Sequence, residues 1–165
     1  MCKKLSVVAC LVLVVAGSLW GQRSLAAQVG LPPVDVTGAF DIAANSFGSG
    51  VCAFDIRISF SGKAGTIQFP GGRTIITSPK LSATVTNLSD PTKNVTLSIT
   101  GAFHQSVQNG QLIRVLTGRN LVFNPLDGIV LTIGTFTSVF NDPNGNPILP
   151  LNGKGQIIDI CNLIA

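Results

Sequence analysis

The sequence predicts an all-β, single-domain fold: an antiparallel β-sandwich or β-barrel of about eight to nine strands. Three observations carry this reading. Apolar and polar residues alternate with a period of two, an Asn-Gly pair separates two alternating runs, and no window of a dozen residues keeps apolar positions at helical three-and-four spacing. The alternation is clearest over residues 51–60, where Cys52, Phe54, Ile56, Ile58 and Phe60 interleave with Ala53, Asp55, Arg57 and Ser59. Successive side chains of a strand point to opposite faces, so this run lays five apolar groups on a core and shows Asp55 and Arg57 to water.

In chain order, a first strand is expected over residues 36–42 and a second over 51–60. Leu81, Ala83 and Val85 then alternate with Ser82, Thr84 and Thr86, and Val95, Leu97 and Ile99 with Thr96, Ser98 and Thr100. Ser89-Asp90-Pro91-Thr92-Lys93 between them has turn composition, so residues 81–100 read as a β-hairpin. Asn109-Gly110 supplies the positive φ angles of a tight turn and joins 103–107 to 111–116 as a second hairpin. Further strands are expected at 121–123, 129–140 and 156–161. Sandwiches and barrels both let antiparallel strands bury one face and manage their edges, and the pattern fits either.

The first 27 residues read as an export signal. Lys3 and Lys4 precede an apolar run from Leu5 to Ala16, and small residues at Ser24 and Ala26, or at Leu25-Ala26-Ala27, place cleavage near 26/27. A retained anchor needs roughly 18 to 20 consecutive apolar residues, and this run is shorter. Val7-Val8-Ala9-Cys10 looks like a lipoprotein box, but Cys10 lies inside the apolar run with most of it still ahead. The expected product is a secreted domain of residues 28–165, with no stable membrane insertion after cleavage.

Cleavage also changes the charge. Lys3, Lys4 and Arg23 leave, so eight of the eleven basic residues remain against seven aspartates. A balance near neutrality supplies no general field for nucleic acid or an anionic membrane. The remaining basic residues are scattered, as solvated surface charges are.

Only Cys52 and Cys161 survive cleavage, and in an oxidising compartment such a pair is expected to be bridged. The bridge would close a loop of about 110 residues and constrain the unfolded chain by on the order of 4–5 kcal/mol. Parity opposes it. If Ile158 and Ile160 face the core, Cys161 faces outward unless the strand ends or bulges first.

Catalytic chemistry is scarce. One His, no Tyr and no Glu leave His104 and seven aspartates as the suppliers of general acid and base. No Gly-x-Ser-x-Gly elbow is present to place a nucleophilic serine, and no aspartate spacing nominates a glycosidase pair. No cofactor is implied: Gly48-Ser49-Gly50 and Gly71-Gly72 lack the spacing and Lys-Ser/Thr ending of a phosphate loop. In Asn141-Asp142-Pro143-Asn144-Gly145-Asn146-Pro147, Asp142, Asn144 and Asn146 place oxygens at alternate positions, like the first half of a calcium loop. The twelfth residue from Asp142 is Gly153 rather than Glu, and a hairpin turn of this composition needs no metal. Asn87-Leu88-Ser89 and Asn94-Val95-Thr96 match the N-glycosylation pattern.

A Cys opening an alternating strand, Thr86-Asn87-Leu88 followed by Val95-Thr96-Leu97, and the closing Asp159-Ile160-Cys161-Asn162-Leu163-Ile164-Ala165 resemble a group of small exported all-β proteins of actinobacteria and other soil bacteria. The resemblance implies secretion and a disulfide and transfers no functional residue.

The functional expectation is therefore a non-catalytic extracellular binding or surface-associated module. Its partner would be an extracellular ligand or a cell-surface component, met by the loops at 61–65, 70–73 and 141–147 or by an interior cavity. A secreted enzyme with a barrel-cavity site built on His104 or an aspartate is one alternative. A structural surface protein that self-associates through strand edges is another.

Overall fold

The computed structural model of the protein describes residues 32–46, 52–140 and 147–165. The signal segment, the Gly48-Ser49-Gly50 loop and the candidate calcium residues Asp142, Asn144 and Asn146 lie outside the described residues. Among the described residues nine antiparallel strands follow one another: β1 (Val34–Ile42), β2 (Ile56–Gln68), β3 (Thr74–Thr77), β4 (Ser82–Asn87), β5 (Asn94–Ser98), β6 (Ala102–Gln108), β7 (Gln111–Asn124), β8 (Gly128–Phe140) and β9 (Pro147–Asp159). A single helical turn, α1 (Ile160–Leu163), closes the chain. The strands form one paired sheet in the order β5-β4-β2-β3-β6-β7-β8-β9, with β1 on β2. No ladder joins β5 to β9 among the described residues, so the sheet is open.

Both predicted hairpins form. Ala83 faces Leu97 and Val85 faces Val95 across β4 and β5, while Gln108 faces Gln111 around Asn109 (φ 52°) and Gly110 (φ 78°). The strands differ from the sequence reading at several places. The strand predicted at 51–60 begins at Ile56 and runs on to Gln68, so residues 61–65 are paired strand, with Ser61 opposite Thr37, rather than a ligand loop. Cys52 and Phe54 sit in a bend before β2, although Cys52 is still buried. Residues 121–123 are the far end of β7 rather than a strand of their own. β3 was not expected, because Thr-Ile-Ile-Thr is too short for a periodicity to show. β9 starts at Pro147, well before the predicted 156, since as an edge strand it tolerates Pro147 and Pro150 where an interior strand would not.

The sheet turns back on itself along a seam of glycines. Gly118, Gly134 and Gly155 are opposite one another across β7, β8 and β9. Gly134 (φ 140°) and Gly155 (φ 142°) lie so close that a Cβ on either would collide with the carbonyl oxygen of the other strand, at Lys154 and Ile133 respectively. Only glycine permits that approach and that backbone conformation. The consequence is visible at the β7–β8 turn, where the Asp127 carboxylate accepts from the Leu151 backbone N–H at 3.0 Å. Leu151 lies eight residues before Asp159, whose partner Val130 is near Asp127. A straight strand would separate them by roughly 26 Å, so the sheet must curl.

Curling buries the distal half of the β7–β8 hairpin on both faces. Ile129, Val130, Leu131 and Thr132 are all buried in sequence. Leu121, Ile129 and Leu131 join Ile56, Ile58, Ala83, Val85 and Leu97 in the main core, between this hairpin and the β5-β4-β2-β1 layer. On the opposite face Val130 packs with Leu116, Phe136 and Leu151 in a second, smaller core. A strand that contributes to both cores explains why Ile129, Val130 and Leu131 read as a continuous apolar run and not as an alternation.

Candidate functional site

The disulfide is the first feature that positions a site. Cys52 and Cys161 are bonded, with Cα atoms 5.1 Å apart. The parity problem is resolved because β9 ends at Asp159, whose carboxylate accepts from the Asn162 backbone N–H at 3.2 Å and starts α1 there. The helical turn rotates Cys161 toward Cys52 and lets Ile160 and Ile164 both be buried. On the other side of the bridge, the Asn45 N–H donates to the Cys52 carbonyl at 3.2 Å, and the Ala44 N–H to the Asp55 carboxylate at 2.8 Å. The corner after β1 is thereby tied to the bridge.

That corner borders a groove of about 420 Å³ lined by Phe40, Asp41, Ile42, Ala43, Ser46 and Phe123. It opens where the main core meets the edge of β1 that is unpaired among the described residues. Phe40 stands on the core-facing side of β1, opposite Ile58, yet no further described strand pairs beyond it and 44% of its surface is exposed. Its ring meets Phe123 edge-on at 5.9 Å and Phe60 at 5.8 Å, so the three phenyl groups form one continuous apolar wall. The mouth carries Ser46, whose hydroxyl donates to the Ala43 carbonyl. On the solvent face of β1, the Asp41 carboxylate accepts from Arg57 Nε at 2.7 Å and Nη2 at 2.8 Å. This hydrogen-bonded pairing holds the Asp41 carboxyl below its ordinary pKa and raises that of Arg57. A second, shallower depression near Ser78, Thr100 and Thr117 is lined by hydroxyl groups and backbone, without a charged side chain.

The residues nominated for chemistry are dispersed. His104 lies in β6 opposite Ile75 and Val115, and no described serine or aspartate side chain bonds to it. The described aspartates are engaged in building structure. Asp35 is 3.5 Å from Lys63 Nζ, Asp90 accepts from Thr92, Asp127 pins Leu151, and Asp159 caps α1. Among the described residues no three His, Cys, Asp or Glu side chains are grouped as a metal would require. Of the expected ligand loops, 70–73 is a 3-10 turn (Pro70–Gly72) whose neighbouring Arg73 lies over the Phe69 ring at 4.6 Å, and none of its residues lines the groove.

The two glycosylation motifs also part company. Asn87 is buried: its Nδ2 donates to the Ile164 carbonyl at 3.1 Å, and its Oδ1 accepts from the Ser89 and Asp90 N–H groups at 2.9 and 3.3 Å. A glycan on that nitrogen would remove the clamp on the C-terminal turn. Asn94 is exposed on edge strand β5. Sequence reasoning missed the phenylalanine groove because Phe40 and Phe123 are 83 positions apart. Each reads simply as the inward residue of its own strand. Comparison of the chain with protein-family models, with curated proteins and with solved structures returned no match.

Proposed function

We propose that this protein is an exported, non-catalytic binding module that takes a small apolar ligand, or the apolar end of a larger one, into the Phe40–Phe123 groove. One observation carries the reading: three adjoining phenylalanine rings, of which Phe40 and Phe123 line a groove at a sheet edge whose volume falls in the range of small-molecule sites. Exposing apolar surface at an edge costs free energy unless something covers it, and an apolar guest recovers that cost by leaving water. The anchoring of the groove's rim through the Cys52 corner supports a preformed site, because rigidity lowers the entropy lost on binding. The disulfide in turn supports export to an oxidising compartment.

The test is fluorescence titration of the mature chain with N-phenylnaphthylamine, a neutral apolar probe. Saturable binding that Phe40→Ser weakens by about tenfold or more is expected, equivalent to the loss of one good aromatic contact. Because Phe40 is already half exposed, the substitution should leave the unfolding midpoint within a few degrees of the parent. Absence of saturation, or equal affinity in Phe40→Ser, would remove the groove as the binding site.

A further inference from the structure

A second site lies on the other side of the sheet, centred on Arg114. This residue is on β7, flanked in register by Gln105 on β6 and Ser138 on β8. It shares its face with the buried Leu112 and Leu116. Its guanidinium carbon lies 4.8 Å from the centre of the Phe140 ring and 5.8 Å from that of Phe103. Donor–acceptor matching assigns the Gln105 amide with its oxygen toward the guanidinium, since the opposite orientation would set donor against donor; so oriented, it accepts from Nε at 2.8 Å and from Nη2 at 2.9 Å.

These contacts fix the plane of the group without neutralising it. A glutamine oxygen and two ring faces stabilise a cation, but none of them carries a compensating charge. No described carboxylate lies within ion-pairing distance of Arg114, whereas Arg57 and Lys63 each have one. Burial pushes its pKa down, which records the cost of holding the charge in these surroundings, and arginine remains charged at neutral pH nonetheless. With the Nε side occupied by Gln105, the end of the fork formed by Nη1 and the second Nη2 proton has no partner among the described residues. Those two parallel donors match the two oxygens of a carboxylate. An exposed Val107, opposite Leu112 on the same face, extends the apolar surround outward.

We propose that Arg114, held by Phe103, Phe140 and Gln105, is an anchor for the carboxylate of a small organic acid with an apolar body. The site is separate from the phenylalanine groove, so each can fail without the other.

NMR titration of the mature chain with sodium benzoate, following the arginine Nε–H signals, tests it. The Arg114 signal should move saturably with benzoate and drift without saturating when sodium chloride replaces it at equal ionic strength. Acetate should bind more weakly than benzoate, since it lacks the apolar body. Arg114→Lys, which keeps the charge but loses the planar fork, should weaken benzoate by about tenfold or more, while Phe40→Ser should leave it unchanged. A non-saturating Arg114 signal in the parent protein would overturn the proposal whether or not the lysine variant folds. So would undiminished benzoate affinity in a folded Arg114→Lys protein, and saturation by chloride would reduce the site to non-selective charge attraction.

Discussion

Asp41 and Asn87 show how much of this fold rests on single polar groups. The Asp41 carboxyl is held below its usual 3.8, chiefly by its hydrogen bonds from Arg57, and Asp90 is lowered in the same direction, first by the Thr92 hydroxyl. A depressed folded-state pKa contributes stability above the unfolded value and loses it as pH falls through the folded one. The melting-temperature advantage of the parent over Asp41→Asn should therefore be present at neutral pH and vanish in strong acid. It should also shrink with added salt, because the pair is exposed. A pH-independent difference would show that Asp41 acts by packing instead. At Asn87 the burden is greater, since Asn87→Ala strands the Ile164 carbonyl and the Ser89 and Asp90 N–H groups together. Urea unfolding should show a loss of about 2–3 kcal/mol at unchanged m-value; a loss near zero would mean that water replaces the clamp.

At the scale of the element, the long strands are legible in part. Alternation located β2, β4 and β5 because each shows one face to a core and the other to solvent, as the buried Ile56 and Ile58 and the exposed Arg57 illustrate. It divided β7 in two and cut β9 short because Gly118, Pro147, Pro150, Gly153 and Gly155 read locally as turns. In the folded sheet the same glycines are where strands cross closest. Gly134→Ala should accordingly cost about 3 kcal/mol, from a Cβ driven into the Lys154 carbonyl at a positive φ. Gly110→Ala at the hairpin tip, where nothing lies within 4 Å, should cost only about 1–2 kcal/mol of left-handed strain. Equal losses in a denaturation series would refute the crowded-seam explanation.

At the scale of the whole molecule, a covalent link joins the bend before β2 to the C-terminal helical turn. Cys52 and Cys161 are 109 positions apart, and reduction should lower stability by on the order of 4–5 kcal/mol through the freed entropy of the unfolded chain. Because the same bridge anchors the corner beside the phenylalanine groove, the Cys52→Ser/Cys161→Ser double variant should also bind N-phenylnaphthylamine less tightly at temperatures where it is still folded. An unchanged affinity would show that the β1 corner holds its shape without the bridge. Two cores on opposite faces of a single curled sheet make this dependence on a distant link intelligible: the distal β7–β8 hairpin is held on both sides, but β1, among the described residues, is paired on one.

By itself the sequence determined the all-β class, the two hairpins and the cysteine pair, because periodicity, turn chemistry and residue counts are local properties that survive without a third dimension. Whether Cys161 could reach Cys52 turned on a strand ending at Asp159, and tertiary packing of Ile160 and Ile164 decided it. The side-chain neighbourhoods behind the two proposed sites exist only in the fold. Phe40 meets Phe123, and Arg114 meets Phe103 and Phe140, by lateral strand pairing and by the curl at Gly134, neither of which leaves a trace in the spacing of the residues along the chain.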